Sequence, residues 1–385
     1  MSHSSSPIIS TSDLQDVITA FSTKPFIAVD TEFMRETTYY PKLCLVQLSD
    51  GENAVCIDPL SEQLDLSPLF NLMRNQNVMK VFHAGKQDME IFVHLMGDAP
   101  APVYDTQLAG MVCGLGEQAG YDRLVSHFTG ITLDKSSRFT NWAQRPLSER
   151  QLSYALDDVV HLAAIYPQIE RQIRQKNRTH WLDDELSELG RAEQYITDPM
   201  MMWKRLKLRS RKPAMVNRLR HLAAWRETTA QARNMPRGHI LRDDTLLDLA
   251  GSNPSSLGEL KKIRGFPKTL PPSLSEPVLK VLKDAADTPA DRMPELPPSR
   301  GHERPPAAVS ELLRVLLKHV CDEAEVAPRL IATSDDLDRL ATGNHDGLAC
   351  LQGWRGELFG TQALELMAGR LALSLSDASL KISDV

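Results

Sequence analysis

Two carboxylates stand where an apolar segment of the sequence ends. Residues 26–29 are Phe-Ile-Ala-Val, a pattern typical of a buried strand, and Asp30 and Glu32 follow directly. Because side chains alternate between the two faces of a strand, both acids point in the same direction. Like charges held this close repel each other unless a cation compensates them. The spacing therefore predicts a cation-binding strand end, with a solvated strand end before a turn as the simpler alternative.

Two further acids, Asp88 and Asp158, lie in later segments that have helical patterns. Mg²⁺ and Mn²⁺ take oxygen ligands, and they commonly bind a few carboxylates while water and substrate phosphate complete the coordination. If these acids converge with Asp30 and Glu32 in the fold, they form such a site. The sequence alone does not establish that they converge. Asp88 could instead be a first-turn acid that the helix dipole favours.

Tyr154 precedes Asp158 by four residues, so both side chains lie on one face of a helix. The adjacent Asp157 lies on another face and is expected to be a solvated acid. In two-metal hydrolysis of a phosphodiester, one ion generates the attacking water and the other stabilises the leaving oxygen. A tyrosine hydroxyl can position that water or remove its proton, and the sequence does not decide which. Tyr154 could also be an ordinary core aromatic.

The elements that must hold these residues alternate between strand and helix over residues 1 to about 195. Strands are predicted at 26–32, 43–50, 54–59 and 78–84, and helices at 66–75 and 89–97. Short turns between the first three strands favour hairpins, so we expect an α/β domain with a mixed sheet and packed helices. A long helix follows Ser148, a plausible N-cap with Gln151 three residues later.

A change of charge marks the second region of the chain. Residues 203–237 hold eleven Lys or Arg against one acid, Glu227, and helical patterns with Pro and Gly stops continue from there. Residues 327–341 resemble residues 236–250 at an offset of about 90, which indicates a repeated module that has lost its basic stretch. We therefore predict an α/β domain at 1–195, a small all-α domain at 208–288, a Pro-rich linker at 289–307 and a degenerate all-α copy at 308–385.

Composition excludes several classes of protein. A net charge of −6 over 385 residues argues against a uniformly basic protein, and five cysteines without a CxxC pair argue against a zinc site or a disulfide scaffold. The N-terminus lacks the basic start and apolar core of a signal peptide, and 18 apolar residues nowhere run together. We predict a soluble, cytoplasmic protein with no membrane segment, and no protein partner is evident.

Three motifs carry a family resemblance. The stretches VDTEF at 29–33, FHAGKQDMEIF at 82–92 and SYALDDV at 153–159 resemble, in order and spacing, the exonuclease motifs of the DEDD superfamily. The third motif has the Tyr-x-x-x-Asp form of the tyrosine branch. Three longer stretches are similar to the ribonuclease D family, namely DTEFMRETTYYPKLCLVQLSDG at 30–51, YDTQLAG at 104–110 and RFTNWAQRPLSERQLSYALDDV at 138–159. The two C-terminal modules resemble HRDC domains.

The resemblance implies a ribonuclease-H-like α/β fold and 3′-to-5′ removal of mononucleotides from RNA, notably from tRNA precursors. By the same resemblance, Asp30, Glu32, Asp88 and Asp158 would bind two divalent ions, Mg²⁺ or Mn²⁺, and Tyr154 would position the attacking water. The HRDC modules would help to hold RNA.

Further residues are candidates for contact with the substrate. They are His83, Lys86, Trp142, Lys204, Arg205, Arg209, Arg211 and Lys212. His83 could instead be a supporting residue, Trp142 could be buried rather than stacked on a base, and the basic run could be a solvated helix face. Asp105 could be a turn or N-cap residue or could face the substrate.

Two other functions remain open at this stage. A nuclease of the same superfamily could act on DNA, although no G-x-x-x-x-G-K-[ST] stretch of a linked helicase is present. A non-catalytic RNA-binding protein could keep the fold without the chemistry, but all four acids and the tyrosine are in place.

Overall fold

A six-stranded mixed sheet forms the centre of the first domain. The computed structural model describes residues 2–3, 6–117, 119–133, 140–296, 305–377 and 379–385. The strands are β1 (Ser2–His3), β2 (Phe26–Met34), β3 (Lys42–Ser49), β4 (Asn53–Ile57), β5 (Met79–Phe82) and β6 (Val103–Asp105), in the order β1-β4-β3-β2-β5-β6. Strands β2, β3 and β4 are antiparallel, as predicted from their short turns, and β5 and β6 add to the sheet in parallel. The predicted α/β class is confirmed, whereas β1 and β6 were not predicted because they are too short to show a pattern.

Seven helices cover the two faces of the sheet. They are α1 (Thr11–Phe21), α2 (Ser67–Arg74), α3 (Lys86–Met96), α4 (Thr106–Val112), α5 (Tyr121–Thr129), α6 (Glu149–Gln175) and α7 (Thr179–Leu189). The alternation along β2 separates two cores, because Ile27 and Val29 pack with α1, α2 and α3 while Ala28 packs with α4 to α7. Asp30 and Glu32 continue the Ala28 face, so they point toward α6.

Helix α6 carries the third motif, and its start agrees with the sequence pattern. Ser148 and Gln151 form a capping box in which the serine hydroxyl accepts the Gln151 backbone N–H and the Gln151 side chain accepts the Ser148 N–H. The apolar stripe of the helix is buried against the sheet. Tyr154 and Asp158 lie beside this buried stripe, so they face the end of β2.

Five helices form a first helical module with its own core. They are α8 (Pro213–Ala232), α9 (Arg237–Ile240), α10 (Asp243–Ser252), α11 (Leu257–Leu260) and α12 (Pro272–Ala286). The 3-10 turns Ala192–Tyr195 and Pro199–Arg205 lead into it, and Trp203 at the second turn is buried in the core of the module.

A second helical module repeats the order of the first. Its helices are α13 (Ala307–Ala324), α14 (Pro328–Ile331), α15 (Ser334–Ala341), α16 (Gly353–Arg355) and α17 (Thr361–Met367), with a 3-10 turn at Ala349–Leu351 and a π-helical turn at Gly356–Gly360. A short helix followed by a longer one occurs at matching positions in both modules, in agreement with the predicted repeat. Gly265 and Gly353 also correspond, and both have positive φ angles of 77° and 51°.

The end of the chain departs from the all-α prediction for residues 308–385. Strands β7 (Leu371–Ser376) and β8 (Ser379–Asp384) form an antiparallel hairpin. Apolar residues alternate along both strands, and Leu373 lies opposite Ile382. This period of two is the signal that the repeat-based prediction overlooked.

Parts of the predicted linker lie outside the described residues, namely 297–304. Before that gap, a 3-10 turn forms at Ala290–Arg292. None of the helices in the described part of the chain combines the length and apolar character needed to span a bilayer.

Candidate active site

Three carboxylates meet at the edge where β2 passes under α6. Each of Asp30, Glu32 and Asp158 offers an oxygen, and these oxygens lie within 4.8 Å of one another. Asp30 and Glu32 lie on the same face of β2 because side chains alternate along a strand. Asp158 comes from α6, which packs on that face. The structure therefore brings together three of the four acids that the motifs single out.

The fourth acid reaches the site from the other side of the sheet. Asp88 lies in the first turn of α3, is buried, and accepts a hydrogen bond from the Thr31 hydroxyl. It lines the same cavity as the other acids but does not belong to the close group of three. The helix-dipole alternative and the ligand interpretation are thus both compatible with its position.

The electrostatics of this cluster favour a bound cation. Burial, and next the charge of Asp158, raise the pKa of Asp30, while burial and the charge of Asp30 raise the pKa of Asp88 well above its usual range. Converging carboxylate oxygens are the donor set that hard divalent cations prefer. The residues present therefore fit a Mg²⁺ or Mn²⁺ site.

Tyr154 lies one helical turn before Asp158 and faces the same cavity. Burial, followed by the charges of Asp158, Glu32 and Asp30, raises the pKa of the Tyr154 phenol, and its hydroxyl donates a hydrogen bond to Asp158. In the absence of a cation, the phenol is thus held in its neutral form. It can donate to, and so orient, a water molecule beside the carboxylates.

The cavity around these residues has a volume of about 630 Å³ and contains all five predicted catalytic residues. It also contains Arg150 and Tyr121, which the sequence prediction did not include. Arg150 precedes Tyr154 by four residues, so the same helical spacing that links Tyr154 to Asp158 could have identified it. Tyr121 donates its hydroxyl to the backbone carbonyl of Asp158, and no local pattern signals that contact.

The turn before α3 is fixed by Asp105. Its carboxylate caps α4 through the backbone N–H groups of Gln107 and Leu108, at 2.8 and 3.2 Å, and also accepts the N–H of Gly85 at 2.8 Å. The N-cap interpretation of Asp105 is confirmed. Gly85 has no room for a side chain, because a Cβ atom would lie 2.7 Å from the Cβ of Phe82. Asp105 therefore holds the segment that positions Asp88.

His83 also belongs to this turn and lines the catalytic cavity. Its Nδ1 lies 3.0 Å from the Thr106 hydroxyl, and burial lowers the pKa of the imidazole, which favours the neutral ring. A buried, hydrogen-bonded imidazole fits the supporting interpretation. Lys86, one turn later, is exposed and lines a neighbouring groove instead of the catalytic cavity.

Trp142 is not available for stacking on a base. The side chain is only 3% exposed, and its ring lies 6.2 Å from the Tyr154 ring, tilted by 37°. Nearby, Arg145 binds Asp58 through two nitrogens at 2.6 and 2.7 Å and donates to the backbone carbonyl of Cys44. The base-stacking alternative is wrong because this anchored loop packs Trp142 inward, behind Tyr154.

The basic run divides into paired and unpaired residues. Arg209 binds Asp244 and Asp248, and Arg226 is buried against Asp243 at 2.7 Å. Arg209 thus forms ion pairs within the first helical module, and its predicted contact with the substrate stays a prediction. Lys204, Arg205 and Lys212 are exposed and have no ion-pair partner within the described ranges, and Arg211 is exposed as well.

Comparisons with known proteins agree with this geometry. A family model described as 3′-5′ exonuclease matches residues 7–174, and a model of the HRDC domain matches residues 216–270. The chain is 46% identical over 362 residues to ribonuclease D of Sphingobium indicum, covering 93% of each chain. It is 44% identical over 383 residues to ribonuclease D of a Jannaschia species, covering 98% of this chain and 99% of the relative.

A solved structure extends the comparison to the whole architecture. The crystal structure of Escherichia coli RNase D, an exoribonuclease involved in structured RNA processing, superposes with a TM-score of 0.82 at 28% identity. The superposition covers 96% of this chain and 99% of that chain. The order of a nuclease domain and two helical modules is therefore common to both.

Proposed function

The chain belongs to the ribonuclease D family of 3′-5′ exoribonucleases, and we propose that it trims the 3′ ends of precursor tRNAs and other structured RNAs, releasing 5′-mononucleotides. The observation that carries this proposal is the convergence of Asp30, Glu32 and Asp158 within 4.8 Å in a cavity shared with Asp88 and Tyr154. Neither a DNA substrate nor a non-catalytic role is favoured by the relatives.

We further propose that Asp30, Glu32, Asp88 and Asp158 hold two divalent ions, Mg²⁺ or Mn²⁺. When bound, such ions supply a polarised water nucleophile and neutralise charge on the scissile phosphate and the leaving oxygen. The donor set supports this proposal because it consists of oxygen ligands only.

The protein's own side chains would perform the remaining tasks. The Tyr154 hydroxyl, placed beside Asp158, would orient the attacking water toward the phosphorus. The Arg150 guanidinium, on the same face of α6, would contact a non-bridging phosphate oxygen. Tyr121 would keep the backbone of Asp158 in place through its hydroxyl.

An isosteric substitution tests the metal site. Asp30→Asn should lower the rate of mononucleotide release by at least about 100-fold, since even residues that support metal ligands are worth about 10- to 100-fold. Titration calorimetry should show that Mn²⁺ binding is lost as well. Because the acids repel one another without a cation, the same variant should melt at a higher temperature than wild type in EDTA.

Asp157→Asn provides the matched control, since Asp157 is exposed and lines the same cavity but does not belong to the close group of three acids. It should retain Mn²⁺ binding and activity. Wild-type activity in Asp30→Asn, or an equal loss in both variants, would contradict the assignment.

The substrate is tested by comparing matched molecules. Precursor tRNAs with a few extra 3′ nucleotides should be shortened to a defined end, and the corresponding DNA strand should be degraded more slowly. Equal rates on RNA and DNA, or indifference to the tRNA body, would argue against the proposed substrate.

A further inference from the structure

A second cavity of about 610 Å³ adjoins the catalytic cavity, and we call it the interdomain groove. One wall consists of the loop after β2 together with α3, and the other consists of residues 194–205 and the first helical module. Gln87 lines both the groove and the catalytic cavity. A chain molecule whose end lies at the carboxylates can therefore continue into the groove.

Positive charge predominates along the groove. Arg35 and Glu90 neutralise each other through two contacts of 2.7 Å, and Arg237 is paired with Glu227. Lys86 and Arg205 remain exposed, and neither has an ion-pair partner in the part of the chain that the structure describes. These two cations lie on opposite walls, where they can contact phosphate groups of one strand.

Aromatic rings form a flat platform in the same groove. The Tyr40 and His94 rings are stacked, with centroids 3.7 Å apart and planes 7° apart. Tyr39 packs edge-on against Tyr40 at 4.7 Å. Flat rings beside free cations are the combination that binds single-stranded nucleic acid, because every base has a face that can stack.

The first helical module holds this platform in place. The Asn234 side-chain carbonyl accepts the backbone N–H groups of Tyr39 and Tyr40 at 3.1 and 3.0 Å. The Tyr39 hydroxyl donates to Glu227, and the Arg237 guanidinium lies over the Tyr39 ring at 4.9 Å. The module thus fixes the tyrosine loop before any ligand arrives.

We propose that the interdomain groove binds the unpaired RNA nucleotides that precede the 3′ end, with a base on the Tyr40–His94 platform and phosphates at Lys86 and Arg205. Bases in a duplex are stacked inside the helix, so only single-stranded RNA can use the platform. This inference rests on the proposed function and adds to it a binding site and a role for the first helical module. The module acts here by positioning the tyrosines.

Binding of a single-stranded RNA of about ten nucleotides, a length within the range of known single-strand sites, tests the groove without catalysis. The full-length protein is titrated in EDTA, and fluorescence anisotropy reports the affinity at several salt concentrations. Tyr40→Leu should weaken binding about 5- to 100-fold, the value of one stacked base, with little change in the salt dependence. Arg205→Ala should lower the slope of log affinity against log salt by about 0.7, the value for one phosphate contact.

Lys207→Ala is the matched control, because Lys207 belongs to the same basic run, is exposed and does not line the groove. It should change affinity less than Arg205→Ala does. A dinucleotide is too short to extend far into the groove. The loss of affinity caused by Tyr40→Leu should therefore be smaller for a dinucleotide than for the longer RNA.

Three results would overturn the inference. They are wild-type affinity in Tyr40→Leu and Arg205→Ala, an equal loss in Lys207→Ala, and an equal loss for the dinucleotide and the longer RNA. Failure of the proposed function has a different signature, namely no metal-dependent release of mononucleotides by the wild-type protein.

Discussion

The two helical modules share an order of elements but join the nuclease domain in different ways. The first has a separate apolar core, and polar contacts such as those of Tyr39 with Glu227 and Arg237 connect it to the nuclease. Among the described residues the second has no separate core, since Leu316 and Leu340 belong to the cluster that includes Ile169 of α6. One module is attached, and the other is part of the nuclease's hydrophobic core.

The junction of the second module shows how the two units merge. Trp354 stacks on Trp181 of α7 with ring centroids 4.4 Å apart, and Arg178 and Arg355 cover the outer faces of the pair. The backbone N–H of Ala327 donates to the carbonyl of Met111 at 2.9 Å. The difference teaches that loss of the basic run in the second copy accompanies the burial of a shared apolar core, beside ion pairs such as that of Arg355 with Glu185.

The largest loss of stability is expected when a buried ring is removed from the core that the nuclease domain and the second module share. Trp354→Ala removes a buried ring that packs on α7, and such a change costs about 3–5 kcal/mol. Because the cluster is shared, calorimetry should show that the nuclease domain and the second module unfold together at a lower temperature. Activity on RNA should decline over that same temperature range.

A leucine in the first module supplies the contrast to Trp354. Leu219 is fully buried in the separate core, and Leu219→Ala should cost about 2–5 kcal/mol within that module. Limited proteolysis should cut the first module while the nuclease domain stays folded and binds Mn²⁺. If Leu219→Ala also melts the nuclease, the contrast between the modules is wrong.

A smaller effect is expected where backbones of the nuclease and the second module touch. At Gly114 the φ angle is +80°, and an added Cβ would lie 2.6 Å from the carbonyl oxygen of Glu325. Gly114→Ala should cost about 1–2 kcal/mol for the left-handed backbone, and about 1–3 kcal/mol more for the displaced contact. Urea unfolding of the nuclease domain measures the sum.

Gly97→Ala isolates the backbone contribution, so the difference between the two glycines gives the cost of the displaced contact. Gly97 has a similar φ of +76°, but nothing lies within 4 Å of its added Cβ. Its cost should be limited to about 1–2 kcal/mol for the backbone. Equal costs at the two glycines would show that the second module does not press on the nuclease at this point.

Residues that a regular element positions were the ones that the sequence could predict. The period of two places Asp30 beside Glu32, and the helical period places Tyr154 beside Asp158, so each pair could be read directly. The same helical spacing places Arg150 four residues before Tyr154, on the same face of α6. The capping box at Ser148 was likewise a local pattern.

Long-range packing was the part that could not be predicted. The sequence shows that α13 has an apolar face, but it does not show which partner covers that face. Trp142 lies in an irregular loop and Tyr121 is the first residue of α5, so no preceding periodicity fixes the direction of either side chain. The terminal hairpin at Leu371–Ser376 and Ser379–Asp384 did carry a period of two, and the assumed repeat concealed it.

A small loss of stability is also expected at the polar junction of the first module. Glu227 is 1% exposed and accepts hydrogen bonds from Tyr39 and Arg237, so Glu227→Gln removes the charge that pairs with the guanidinium. Hydrogen bonds to charged groups contribute about 1.5–3 kcal/mol each. Because the amide of Gln keeps some of these hydrogen bonds, we expect the free energy of unfolding of the first module to fall by about 1–3 kcal/mol. Proteolysis of the first module measures it, and Glu276→Gln, an exposed acid on α12, is the control for net charge.

The pH dependence of this junction gives the sharpest test of its polar character. Burial alone would raise the pKa of Glu227, but the hydrogen bonds from Arg237 and Tyr39 outweigh it and lower the pKa below the usual value of 4.5. The unfolded state then binds more protons than the folded state just below pH 4.5, so stability is full above that pH and falls as the pH drops through the folded-state pKa. In Glu227→Gln this pH-dependent part should vanish from the unfolding of the first module. The junction of the second module has carboxylate ion pairs of its own, Lys176 with Glu325 and Arg355 with Glu185, so its acid sensitivity should be the same in Glu227→Gln and in wild type. Wild-type pH dependence of the first module in Glu227→Gln would contradict the assignment.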